Sequence, residues 1–169
     1  MGKIYHYYVE GECEERFINE FKKALHSLIT PGKVDVFNFI QNEFTKSRLM
    51  ALNRNTIIIL VYDIDVNNAD VLKRNIEILK KYGFNNIVHI QSIPNFEGEM
   101  EYAMGLNTVN AIFNTSNDTQ FKSKFLKCHN LYTKLNSFNL DVDKLWSRKN
   151  DGNFSEYYDK KAHNIIINR

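Results

Sequence analysis

An α/β fold built on a central parallel sheet of about four strands flanked by helices is what this sequence predicts, and three observations carry that expectation. Thr56 to Tyr62 is an unbroken apolar run of strand length, as in a strand covered on both faces. Strand-like and helix-like stretches alternate along the first two thirds of the chain, the order that a parallel sheet with right-handed crossovers requires. The helical stretches carry one apolar stripe each, with polar residues opposite.

Taken in order, Lys3 to Val9 is rich in β-forming residues and predicts the first strand, closed by a turn at Glu10-Gly11. From about Cys13 to Leu28 the apolar positions Phe17, Phe21, Ala24, Leu25 and Leu28 make one helical face, and Thr30-Pro31-Gly32 ends it. Lys33 to Phe39 alternates as a second strand, and Gln41 to Leu52 is expected as a second helix. The apolar run from Thr56 stops abruptly at Asp63-Ile64-Asp65. Asn68 to Tyr82 then predicts a helix with Val71, Ile76, Ile78 and Leu79 inward and Gly83 as its stop. Ile87 to Gln91 is the fourth strand, and Pro94-Asn95 opens a short helix through Met104. Residues 1–106 form the expected core, and 107–169 a helical, mildly basic extension packed on it, with Phe138, Leu140, Leu145 and Trp146 as buried anchors.

The 169 residues suffice for one domain, and 43% hydrophobic with 13% aromatic content argues for a packed core. Only 7 Gly and 2 Pro leave little room for linkers. Cys13 and Cys128 match no metal-ligand spacing and are expected as reduced thiols of a cytoplasmic protein. The first residues lack the apolar core of a signal peptide, and no apolar run reaches membrane-spanning length, so no membrane partner is expected. Oligomeric state is left open. Net charge is +2, but cations gather late, at Lys122, Lys124, Lys127, Lys144, Arg148, Lys149, Lys160, Lys161 and Arg169. A basic tail beside an acidic centre suits a polyanionic partner such as nucleic acid; the plainer reading is a solubilising surface.

In open parallel sheets ligands bind outside the carboxyl ends of the strands. Glu10 follows the first strand, Asp63 and Asp65 follow the third, and Glu97 follows the fourth after a short loop. In extended backbone Asp63 and Asp65 point the same way, which suits one hard cation such as Mg²⁺ or Mn²⁺. The competing role for Asp65 is to cap the next helix. Glu12, Glu14 and Glu15 sit where acids favour a helix dipole without any metal, although Glu14 also lies one turn from Glu10. Glu97, Glu99 and Glu101 read as dipole acids or surface residues, with Glu97 also a candidate ligand. His6 and His89 read as core or edge residues, and no phosphate-binding P-loop is present.

Val9-Glu10-Gly11-x-x-Glu14, Asp63-x-Asp65 and Pro94-x-Phe96-Glu97, in this order on successive βα units, resemble the Toprim domain. The match is nearest to the small RloB-like proteins and, further off, the nuclease domains of overcoming-lysogenisation-defect proteins. It covers about residues 3 to 104. Two features depart from the pattern. Val66-Asn67-Asn68-Ala69 replaces the Gly-Glu-type continuation of topoisomerases and primases, and Ile93 stands where RloB-like sequences commonly have Asn.

The resemblance implies metal-dependent phosphodiester hydrolysis of DNA or RNA. Asp63 and Asp65 would hold Mg²⁺, Glu10 with Glu14 would hold a second ion or act as acid/base, and Glu97 would join them. Lys134, Lys144, Arg148 and Lys149 are the candidate nucleic-acid contacts. A companion ATPase and a role in phage defence are further implications. The alternatives are an inactive Toprim module that binds nucleic acid or a protein, and a haloacid-dehalogenase-type phosphatase, whose Asp-x-Asp strand motif this chain matches with one position displaced.

Overall fold

The computed structural model describes residues 3–24, 29–159 and 162. It is an α/β fold. Among the described residues four strands, β1 (Ile4–Val9), β2 (Lys33–Val36), β3 (Thr56–Asp63) and β4 (Ile87–Ser92), form one all-parallel sheet in the order β2-β1-β3-β4. The helices are α1 (Glu12–Lys23), α2 (Lys46–Met50), α3 (Asp70–Lys81), α4 (Phe96–Met104), α5 (Asn110–Phe113), α6 (Asp118–Lys127) and α7 (Leu131–Asn136). A 3₁₀ turn at Ser155–Tyr157 follows. No helix of the described residues is long and apolar enough to cross a membrane.

That strand order fixes where a ligand can enter. From β1 the chain moves outward to β2, then returns to place β3 on the other side of β1 and moves outward again to β4. Crossovers of one hand then put the helices after β1 and β3 on opposite faces, opening a crevice between the carboxyl ends of these two strands. The packing agrees. Phe17, Ile18 and Phe21 of α1 pack with Tyr7, Val9, Ile59 and Val61 on one face, and Leu72 and Leu79 of α3 with Tyr8, Ile58, Leu60 and Tyr62 on the other. The alternation of β1 and β3 side chains between two buried faces is what an uninterrupted apolar strand encodes.

Phe154 and Tyr157 pack on the α3 face, whereas the buried residues between Leu106 and Trp146 join the α1 face. Val109, Ile112, Phe121, Phe125, Leu131 and Leu135 are all buried in that cluster. Leu140, Leu145 and Trp146 are buried as anticipated, and Phe138 is half-buried under the Lys134 ammonium, 4.9 Å from its ring centroid.

Four expected elements differ. The second strand, expected to reach Phe39, ends at Val36. The first helix ends at Lys23, where Ala24 turns to extended backbone, and the expected Leu25 and Leu28 lie outside the described residues, as do Lys160, Lys161 and Arg169. The inner face of α3 is Leu72, Asn75, Ile76 and Leu79, with Val71 and Ile78 only half-buried. The expected helix from Gln41 is reduced to five residues from Lys46. Asn75, fully buried on α3, explains that shortening. Its amide donates to Phe39 O at 2.6 Å and Asn42 O at 2.8 Å and accepts from the Phe44 amide at 2.7 Å. A side chain that satisfies three backbone groups holds 39–44 as a loop, where a helix would have used them internally.

Candidate metal centre

Glu10 is the residue after β1 and Asp63 is the last residue of β3, so the two stand side by side at the crevice between the neighbouring strands. They line a cavity of about 440 Å³ together with Glu12, Glu14, Asn38, Glu97 and Lys122. Five carboxylates and one lysine thus face a common space.

The electrostatics of that space are unusual for carboxylates. Burial first, then the charges of Glu14 and Asp65, pushes Glu10 up to about 8, against a hydrogen bond from the Asp63 backbone that favours its charged form. Burial, followed by the charges of Glu14, Glu10, Asp65 and Glu97, pushes Asp63 up to about 9. Glu14 is raised as well, chiefly by burial. Glu10 Oε1 and Asp63 Oδ1 are buried with no hydrogen-bond partner in the protein. Desolvated, mutually repelling carboxylates with unsatisfied oxygens are costly unless protons or a cation neutralise them.

Each sequence candidate has a definite place. Glu14 is the third residue of α1, and its carboxylate takes hydrogen bonds from its own amide and that of the N-cap Gly11, so it closes the helix as a capping-box acid while facing the cavity. Gly11 has extended backbone that any residue could adopt, but an added Cβ would stand 3.0 Å from Glu14 Oε2, so the small residue leaves room for that carboxylate. Asp65 is exposed and does not line the cavity, although Glu10 and Asp63 both feel its charge. It caps no helix: α3 begins at Asp70, whose amide bonds to the Asn68 side chain at 3.0 Å. Glu97, at the start of α4, pairs with Lys122 at 3.1 Å. Asn95 is the cap of α4, accepting from the Gly98 amide at 2.9 Å.

Glu99 departs from the expectation of a surface or dipole acid. It is 1% exposed and accepts from the Ile93 amide at 3.2 Å, the Trp146 amide at 2.6 Å and Arg148 at 2.8 Å. Arg148 also donates to the carbonyls of Ile93 and Gly98 and lies 4.3 Å above the Tyr102 ring. Its guanidinium is thereby committed to holding the 146–148 segment against the loop after β4, rather than standing free for nucleic acid. Lys134 rests on the rings of Phe113 and Phe138, Lys144 lies 3.9 Å from Asp141, and Lys149 is exposed.

Lys122 is the site residue that sequence reasoning did not single out. It comes from α6, far along the chain, and reaches the cavity because α6 packs on α1. Burial opposes its charge, but Glu97, Cys13 and Glu14 raise its affinity for the proton overall. Its one sequence signal was membership of the lysine run before Cys128. His6 and His89 stand away from the cavity. His6 bonds to Asp35 at 2.9 Å, and His89 stacks on Tyr157 with centroids 5.3 Å apart.

Among the described residues no three His, Cys, Asp or Glu side chains converge as a ready-made ligand cage. Mg²⁺ does not require one: it commonly binds through one or two carboxylates and keeps several waters and substrate phosphates as its other ligands. The orphaned oxygens of Glu10 and Asp63 are hard donors of that kind, so the residues present fit a small divalent cation. Set against known proteins, the chain matches no protein-family model, no curated protein and no solved structure.

Proposed function

We propose that this chain is a Mg²⁺-dependent nuclease of Toprim type that hydrolyses phosphodiester bonds of DNA or RNA in the cytoplasm. The observation that carries this reading is the juxtaposition of Glu10 and Asp63, each with one buried oxygen that has no hydrogen-bond partner in the protein, at the switch point of a parallel sheet. The motifs Glu10-Gly11, Asp63-x-Asp65 and Pro94-x-Phe96-Glu97 give that acidic edge its Toprim character.

Asp63 and Glu10 would hold the ion, with Asp65 supplying a further charge from the rim and Glu14 and Glu97 reaching the same space. When bound, Mg²⁺ offers positive charge against the phosphate and lowers the pKa of a coordinated water. Glu14, which faces the same space beside Glu10, would be the carboxylate left to take the proton of the attacking water. Lys122 is the cation among the lining residues and would meet the negative phosphate at the cavity mouth. Exposed lysines such as Lys144 and Lys149 would track the backbone of the strand. A companion ATPase and a role in phage defence belong to the same proposal and rest on the family resemblance.

Incubation of the purified chain with supercoiled plasmid, single-stranded DNA and structured RNA, with Mg²⁺, Mn²⁺ or chelator, tests the reading. Cleavage that requires the metal and is lost in Asp63→Asn supports it. Cleavage that survives both chelator and that substitution refutes it. Binding of nucleic acid without cleavage would point to an inactive module, and hydrolysis of p-nitrophenyl phosphate alone to a phosphatase.

A further inference from the structure

A second cavity, of about 800 Å³, shares no lining residue with the acidic one. Its floor is the amino half of β1 with His6 and Tyr8, beside Lys33 and Asp35 of the edge strand β2. Its wall is α2 and the turn after it, including Arg48 and Asn53.

The charge of this cavity is opposite to that of the crevice. Lys3, Lys33 and Arg48 face it against the single carboxylate of Asp35. That carboxylate is already occupied, by His6 at 2.9 Å and Lys33 at 3.0 Å. Arg48 makes no salt bridge among the described residues. Its guanidinium lies 4.4 Å over the Phe37 ring and 5.9 Å from the centroid of Tyr8, which orients the planar group and leaves its N–H edge without a carboxylate. Tyr8, a side chain with 0% exposure, is also among the lining residues, and its hydroxyl interacts with the Arg48 guanidinium.

We infer that this cavity binds a small phosphorylated ligand of nucleotide size, with Arg48 and Lys33 on its phosphate groups. A guanidinium held flat on an aromatic ring presents a fixed fork that matches phosphate oxygens, and little ordering entropy is lost when it binds. The volume lies within the range of small-molecule sites, about 300–1,000 Å³. The inference stands apart from the reading of the acidic crevice, because the residues, the face and the sign of charge all differ.

Calorimetric titration of the full chain with ADP, with inorganic pyrophosphate and with adenosine, all in chelator, tests it. ADP and pyrophosphate are expected to bind and adenosine to bind much more weakly. Arg48→Gln should weaken ADP at least about tenfold, the scale of one lost charge-assisted contact. Lys33→Ala should weaken it several-fold, with unfolding midpoints of both variants close to that of the parent. Lys122→Ala, which removes the cation of the acidic crevice, should leave ADP binding unchanged. The inference is overturned if neither phosphate compound binds the parent chain. It is equally overturned if binding survives both Arg48→Gln and Lys33→Ala, or is lost in Lys122→Ala, which would locate the phosphate at the crevice instead.

Discussion

Replacing Asp63 by Asn removes a carboxyl that the metal-free fold holds protonated, and so changes how stability depends on pH. In the folded chain burial, then the neighbouring carboxylates, raises Asp63 from an ordinary 3.8 to about 9. Between those limits the folded chain keeps a proton that the unfolded chain has released. Stability therefore falls as pH rises from about 4 to about 9, is fully present below the unfolded value and levels off above the folded one. Each pH unit in the window costs at most about 1.4 kcal/mol, so Asp63 alone costs at most about 4 kcal/mol at pH 7. Glu10 shares the same field and solvent reaches part of the site, which brings the working figure to about 2 kcal/mol.

Asn keeps the shape and cannot ionise. Metal-free Asp63→Asn is thus expected to be about 2 kcal/mol more stable than the parent near pH 8, roughly 4–8 °C in Tm for a chain of this size. The advantage should shrink to nothing near pH 4. Thermal unfolding in chelator across this range reads both effects. Addition of Mg²⁺ should then raise the Tm of the parent and leave that of the variant unmoved. A variant less stable than the parent near pH 8, or an offset equal at both ends of the range, would refute the argument.

Other substitutions separate the site from its scaffold. Lys122→Ala should keep the fold, since its Nζ is a half-exposed partner of Glu97, yet lower metal-dependent cleavage about 10- to 100-fold, read from initial rates on labelled substrate. Glu99→Ala strips a buried carboxylate from Arg148 and two backbone amides and should cost about 3–5 kcal/mol in denaturant unfolding. Asn75→Ala should cost about 2–3 kcal/mol and raise amide exchange at Phe44 above that of the central strand β3.

The sheet was legible because β3 is apolar on both faces, and a run like Ile57 to Val61 has few other structures to enter. Its abrupt end at Asp63, and the end of β1 at Glu10, mark the acidic edge in the sequence itself. What stayed hidden depends on contacts between residues distant along the chain. The stretch before α2 has helix-compatible residues, but Asn75 claims its backbone groups from another element. Glu99 and Glu97 share a helix and a side-chain type, and only the return of Trp146 and Arg148 distinguishes the buried one from the one at the cavity. Lys122 reaches the site through the packing of α6 on α1, a relation that no local spacing encodes. The adjacency of β1 and β3, which makes Glu10 and Asp63 neighbours, is likewise a property of the strand order rather than of either motif.

The most direct measurement of the central claim is Mn²⁺ binding followed by electron paramagnetic resonance at about pH 8, where free and bound ion are distinguished without any substrate. A saturable site is expected in the parent chain, displaced by Mg²⁺, abolished in Asp63→Asn and strongly weakened in Glu10→Gln. Equal Mn²⁺ binding by parent and both variants, or none by the parent, would contradict the claim.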